Sequence, residues 1–261
     1  MNHTIKDQNL DKDYYKFDWS GFALIEFLLS EYNNIPNKLK NVLDIGSGEG
    51  IHTKIMRKFD LEVDQIDKYS DTAEIQEDFI SYHFEKKYDV VFCSHVIEHQ
   101  RNPGIFLDKI FDVLNDEGLL IVSAPKHEPK MFVSGHLSCW HIPYFIQNLI
   151  HAGFDCKNSK IMSIGLIENS FIIPKAKNFN FKERSGAGYL WTEEHQQRSP
   201  VKLKPGITVE NDEIFFLDCE FVIPLVKNNI IDVKINYPEN FVSKNIVIDL
   251  TRWNDSFVFN L

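Results

Sequence analysis

Four short runs of mostly apolar residues punctuate the first half of the chain, at Asn41 to Ile45, Leu61 to Ile66, Tyr88 to Cys93 and Leu119 to Ala124. Near-continuous apolar runs bounded by loop signals are what strands buried on both faces of a parallel sheet require. Helical spacing fills the gaps, with His52 to Phe59 after the first run and Pro103 to Leu114 after the third. Alternating strand and helix predicts a doubly wound α/β sheet. Ahead of it, residues 20 to 32 fit an amphipathic helix capped by Ser20 and stopped by the polar loop around Pro36. A short strand is expected at Glu77 to Ser81. After the last parallel strand, His141 to His151 reads as a helix closing at Gly153. Phe154 to Ile164 and Leu166 to Pro174 then read as an antiparallel final hairpin around Gly165.

From about Asn178 the pattern changes to a loop-like stretch followed by strand-like segments at Glu213 to Leu217, Phe221 to Val226, Ile230 to Ile235 and Ile246 to Leu250. The expected organisation is an N-terminal helical segment over residues 1–37, a sheet domain over 38–177 and a β-rich C-terminal extension over 178–261. The extension could serve as a subdomain, a dimerisation element or a lid. The pattern leaves these open, and the oligomeric state with them.

Composition narrows the partners. With 28 basic against 38 acidic side chains the chain carries a formal charge of -10, which repels phosphate backbones and argues against nucleic acid. Its four cysteines form no CxxC pair and no dense disulfide framework, as expected of reduced cytosolic thiols. The polar stretch Met1 to Lys16 lacks the apolar core of a signal peptide, and no run approaches the roughly 20 apolar residues of a membrane span. A soluble, cytoplasmic protein is expected.

The first strand runs into Asp44-Ile45-Gly46-Ser47-Gly48-Glu49-Gly50, so glycines fall at the strand's carboxyl end, where open α/β sheets bind ligands. Asp67 ends the second strand at the spacing expected of a carboxylate that grips ribose hydroxyls. The dinucleotide pattern would place a third glycine where Ile51 stands. Asp44 would also sit poorly beside a pyrophosphate, but it suits a cofactor carrying an ammonium and a sulfonium. Together with Asp78-Phe79 and the segment Tyr88 to His99, these residues resemble the motifs of class I S-adenosylmethionine (SAM)-dependent methyltransferases over roughly residues 38 to 175. The resemblance implies a Rossmann-like fold in which Asp44, Gly46, Ser47 and Gly48 form the SAM loop. It also implies that Asp67 holds the ribose, Asp78 and Phe79 flank the adenine, and Ser94 faces the methionine end.

Ser94-His95-Val96-Ile97-Glu98-His99 opens onto the same edge of the sheet, and Gly135-His136-Leu137-Ser138-Cys139-Trp140-His141 follows the fourth strand to that edge. Histidine titrates near neutrality and suits removal of a proton from an acceptor hydroxyl. The second segment resembles bacterial methyltransferases that modify sugars of surface polysaccharides. That implies O-methylation of a sugar or nucleotide-linked sugar with His136, His99 or His141 as base, with Trp140 either stacked on the sugar or, as is commoner for a tryptophan, packed in the core or a loop. Ubiquinone-type O-methyltransferases are also similar, and they imply a divalent metal held by His95, Glu98 and His99, with a histidine at 95 where that pattern has a carboxylate. Three rivals stand beside the sugar reading. They are another small acceptor such as a quinone precursor, a phosphate-derived group or an amine; a non-enzymatic SAM-binding protein; and an NAD-linked oxidoreductase.

Overall fold

The computed structural model describes residues 14–18, 22–28, 39–164, 168–185, 191–200, 230–231, 245–250 and 255–259. In chain order the elements are β1 (Tyr14–Asp18), α1 (Phe22–Glu26), β2 (Asn41–Ile45), α2 (Ile51–Lys58), β3 (Glu62–Ile66), β4 (Tyr88–Ser94), α3 (Pro103–Val113), β5 (Leu114–Pro125), α4 (Ile142–Ala152), β6 (Lys160–Ile164), β7 (Glu168–Pro174), α5 (Glu193–Gln197), β8 (Ile230–Ile231), β9 (Asn245–Leu250) and β10 (Asp255–Phe259). The chain divides into two compact units, Ser20–Asp218 and the pair of segments Met1–Trp19 with Cys219–Leu261.

The larger unit is built on a six-stranded sheet of order β3-β2-β4-β5-β7-β6. β3, β2, β4 and β5 pair in parallel, while β7 runs antiparallel to both β5 and β6. The apolar runs become its central strands because both faces are covered: Val42, Leu43, Val90, Val91, Leu120, Ile121 and Val122 are completely buried. One face packs against α3 through Phe106, Leu107, Ile110 and Phe111 and against α4 through Phe145, Ile146, Leu149 and Ile150. Truncating a side chain as enclosed as Phe145 to alanine costs about 3–5 kcal/mol.

This strand order sets the functional edge. From β2 the chain moves outward to β3, then returns to lay β4 on the other side of β2. The carboxyl ends of β2 and β4 therefore flank the switch point where open α/β sheets bind ligands.

Three elements differ from the sequence reading. Glu77 to Ser81 is a turn rather than a strand, with only an isolated parallel bridge between Ile66 and Ile75 nearby. β5 begins at Leu114, where α3 was expected to end, because Leu114 pairs with Tyr88 before the register shifts at Val90. Lys160 and not Phe154 begins β6; Phe154 instead makes a lone bridge to Lys175. Ser20, Pro36 and Gly165 lie outside the described residues.

In the smaller unit β1-β9-β10-β8 form a four-stranded sheet in which β1 pairs in parallel with β9 and β10 runs antiparallel to β9. The segment Tyr14–Asp18, which falls in the expected helical segment, is thus a strand of the unit that holds the C-terminus. The strand-like segments at 213–217 and 221–226 lie outside the described residues. Among the described residues no helix is long and apolar enough to cross a membrane.

Candidate functional site

At the end of β2 the backbone N–H of Gly46 bonds to the carbonyl of Ile66 at 2.8 Å, which turns the chain across the tip of β3. Gly46, Gly48 and Gly50 carry φ values of 70°, 54° and 71°. The Asp67 carboxylate is fastened to this turn. Its Oδ2 accepts the Gly48 N–H at 2.9 Å, and its Oδ1 accepts the N–H groups of Tyr69 and Ser70 at 2.8 and 3.0 Å. The hydroxyls of Ser70 and Thr72 return two bonds to the Gly48 carbonyl at 2.6 and 3.0 Å. Asp78 lies 3.0 Å from the Lys68 ammonium, which holds its carboxyl below the usual range, and Phe79 is buried edge-on against Phe106.

A cleft of about 580 Å³ opens over these residues, lined by Gly46, Asp67, Asp78 and Phe79 together with His95 and His99. That volume lies within the range of small-molecule sites. Asp44, Ser47, Gly48 and Ser94 lie outside its lining. Asp44 is buried beneath the turn, accepts the Thr53 hydroxyl at 2.5 Å, and has its pKa raised to about 7, chiefly by loss of solvent. Ser94 bonds to the Ser123 hydroxyl at 3.1 Å. A larger cleft of about 710 Å³ beside Phe111, Lys175 and Phe179 contains none of the residues singled out by the sequence.

The histidine face is assembled from three chain segments. His95 leaves β4 with φ of 55°, an uncommon conformation for a residue with a Cβ. Its Nε2 lies 2.9 Å from Glu168 Oε2 and its Nδ1 lies 3.8 Å from Glu98 Oε1. Glu168 is fully buried at the start of β7 and also accepts the Ser170 hydroxyl at 2.9 Å. Glu98, in the 3-10 turn Ile97–His99, is equally enclosed, and burial raises its pKa. Its Oε1 lies 3.5 Å from His99 Nε2, and among the described residues no other residue gives a hydrogen bond to either carboxylate oxygen.

His99 Nδ1 lies 2.8 Å from the carbonyl oxygen of Gly135, and the backbone N–H of Leu137 bonds to the Glu98 carbonyl at 2.7 Å. These bonds seat the loop after β5 against the turn after β4 and set the His136 ring nearly perpendicular to His99 at 4.9 Å. His136 Nδ1 in turn lies 3.1 Å from His127 Nε2, and the Cys139 sulfur lies 3.7 Å from His127 Nδ1. One ligand atom each from Glu98, His99 and His136 falls within 4.8 Å of the others.

The structure thus brings His99 and His136 together with Glu98, while His95 is turned to Glu168. His141 stands apart as the residue preceding α4, its carbonyl accepting the Phe145 N–H at 2.9 Å, and it lies outside the cleft lining. Trp140 takes the packing role of the two open to it. It is only 4% exposed, packs on Phe145 with ring centres 4.8 Å apart and gives its indole N–H to Ser138, so it offers no face to a sugar. Sequence reasoning missed Glu168 and His127. The signal for His127 was its place just past the end of β5, at the same carboxyl edge. Glu168 carried none beyond being a charge at the head of an apolar strand.

A family model described as a methyltransferase domain matches residues 21–154, just over half of the chain. The chain belongs to this family. Among its curated relatives, the ubiquinone biosynthesis O-methyltransferase of Glaesserella parasuis is 28% identical over 128 residues, covering 40% of this chain and 54% of that protein. The enzyme of the same description from Rickettsia bellii is 28% identical over 143 residues, covering 49% and 59%. The chain spans about half the length of these relatives. The fold of this methyltransferase domain is shared with the 1,6-didemethyltoxoflavin-N1-methyltransferase of Burkholderia thailandensis, a structure with bound S-adenosylhomocysteine. That likeness has a TM-score of 0.51 and 15% identity, and it covers 60% of this chain and 80% of that one.

Proposed function

We propose that this methyltransferase domain transfers the methyl group of SAM to a hydroxyl of a small phenolic acceptor, of the kind found in quinone precursors. The observation that carries the reading is a cleft lined by Gly46, Asp67 and Phe79 together with His95 and His99. SAM supplies a methyl carbon already activated by positive sulfur, so the protein has to align the acceptor and take up its proton. In this reading Asp67 accepts ribose hydroxyls and Phe79 flanks the adenine. His99, which lines the cleft, and His136, whose ring lies 4.9 Å from it, are the candidate bases for the acceptor proton. A divalent ion held there would polarise the acceptor oxygen.

The buried carboxylate of Glu98, to which no other described residue gives a hydrogen bond, beside two imidazoles fits such an ion in donor type. The phenolic acceptor draws support from relatives described as ubiquinone biosynthesis O-methyltransferases. The sugar reading has lost its stacking platform with the burial of Trp140.

Mass spectrometry of reactions containing the full chain, SAM and either catechol-type phenols or nucleotide sugars tests the proposal. Methylation of the phenol is expected. Methylation of the sugar alone, or an N-methylated product, would overturn it.

A further inference from the structure

The cleft wall at Asp78 and Phe79 is built from a turn where a strand was expected, so its backbone carbonyls need donors from outside a ladder. We propose that Lys109, on α3, is the positioning residue for this wall. Its ammonium gathers the segment 78–84 and sets Phe79 in place, so that the adenine of the cofactor meets a surface already formed. The inference deepens the proposed function and rests on that reading in taking Asp78 and Phe79 as the pair that flanks the adenine.

Lys109 reaches the segment from far along the chain. Its Nζ donates to the carbonyl of Ile80 at 2.7 Å and to that of Tyr82, 27 residues earlier, at 2.5 Å. Hydrogen bonds from an ionised donor are roughly twice as strong as neutral ones. The same ammonium lies over the rings of Phe79 and Phe84, 5.2 and 5.6 Å from their centres, within reach of a cation–π attraction. One charge thus holds two carbonyls and two rings of a single short segment.

That hold passes directly to the residues of the cleft. The N–H groups of Ser81 and Tyr82 bond to the Asp78 carbonyl at 3.0 and 2.9 Å, and the N–H of Ile80 bonds to Asp78 Oδ1 at 2.9 Å. The Ile80 carbonyl and the Ser81 N–H belong to one planar peptide unit. Lys109 therefore grips one edge of a rigid plate whose other edge closes on Asp78. Phe79 packs between Phe106 and Phe84, with ring centres 5.3 and 5.7 Å away. Phe106 and Lys109 stand three residues apart on α3, so one helix face supplies both the ring and the ammonium.

Lys109 itself is not part of the cofactor cleft. Phe79 and Phe106 line that cleft, whereas Lys109 lines a separate one of about 550 Å³ together with Phe84. Its influence on the cofactor runs through the turn. A turn that the ligand had to order would subtract its conformational entropy from binding, and a turn held beforehand does not.

The test is calorimetric titration of the full chain with S-adenosylhomocysteine, alongside amide exchange over residues 78–84. Lys109→Met keeps the apolar stem and removes the ammonium. It should weaken the ligand by about tenfold and speed exchange at Ile80, Ser81 and Tyr82. Lys109→Arg keeps the charge and the donors, and should recover most of both losses. Lys175→Met is the control for general destabilisation. Its ammonium likewise bonds to a carbonyl, that of Leu114 at 2.9 Å, and lies 4.3 Å from the centre of the Phe111 ring, outside the cofactor cleft. That variant should lose stability yet keep its affinity within about twofold.

Unchanged affinity in folded Lys109→Met, or an equal loss in Lys175→Met, would overturn the assignment and leave the cofactor reading standing. Should Lys109→Met fail to fold, exchange in the wild type decides. Ile80, Ser81 and Tyr82 should be protected before the ligand arrives, and protection that appears only with the ligand would count against Lys109. A wild type that binds no S-adenosylhomocysteine would remove the cofactor reading itself, and this assignment with it.

Discussion

His95 Nε2 lies 2.9 Å from Glu168 Oε2, joining the end of β4 to the start of a strand that is 73 residues further along the chain. Both side chains are nearly inaccessible, at 7% and 0% exposure. Removing one partner of a buried pair strands the other in a dry site, at a cost of about 3–5 kcal/mol.

His95→Ala should therefore lower the thermal midpoint by on the order of 10 °C for a domain of this size. The double variant with Glu168→Gln should be less destabilised than the sum of the singles, with a coupling of about 0.5–3 kcal/mol. Strict additivity in calorimetric unfolding would show that the pair is not coupled.

Gly46 and Gly48 have similar left-handed φ values, yet they should respond differently to alanine. A Cβ at Gly46 would overlap the Val96 side chain, whereas one at Gly48 meets nothing within 4 Å among the described residues. Gly48→Ala should cost only the conformational penalty, about 1 kcal/mol, and retain SAM binding. Gly46→Ala should cost more and distort the cleft, and Val96→Ala in the same chain should recover part of the loss. Equal effects of the two alanines on unfolding and on SAM affinity would discount the close approach.

Asp44 gives the glycine turn a pH dependence. Its pKa rises from 3.8 to about 7, first because it is buried and in spite of the Thr53 hydrogen bond. Between those values the folded chain holds a proton that the unfolded chain has released. Stability therefore falls as pH rises across that window and levels off above it. The full difference amounts to about 4 kcal/mol as an order of magnitude. Asp44→Asn removes it, so the variant should gain on the wild type as pH goes from 5 to 8. Parallel thermal midpoints for the two proteins across that range would contradict the assignment.

Much of the fold was legible because buried parallel strands write themselves as apolar runs. Asn41–Ile45 falls where its run predicts, and Gly153 closes α4 as its position implies. The turn at Asp78-Phe79 was less legible, since Phe79 is buried by side-chain packing against Phe106 and not by strand pairing. In the histidine cluster the individual residues were visible but not their partners. Which histidine meets Glu98 depends on a loop fold set by Leu137 N–H and the Gly135 carbonyl, contacts made by backbone atoms that sequence pattern does not encode. Glu168 could pair with His95 only through the antiparallel register of β7 on β5, in which it stands opposite Pro125.

The account depends most on the cleft at Asp67 being the cofactor site, and calorimetric titration of the full chain with S-adenosylhomocysteine tests this directly. One molecule should bind per chain. Asp67→Ala should weaken it at least tenfold, about 1.4 kcal/mol, because the proposed function has the carboxylate meet the cofactor and the same group holds the Gly48 turn. No binding by a natively folded chain at about 1 mM ligand, a level that detects even interactions of about -4 kcal/mol, would contradict the account. So would Asp67→Ala binding as tightly as the wild type.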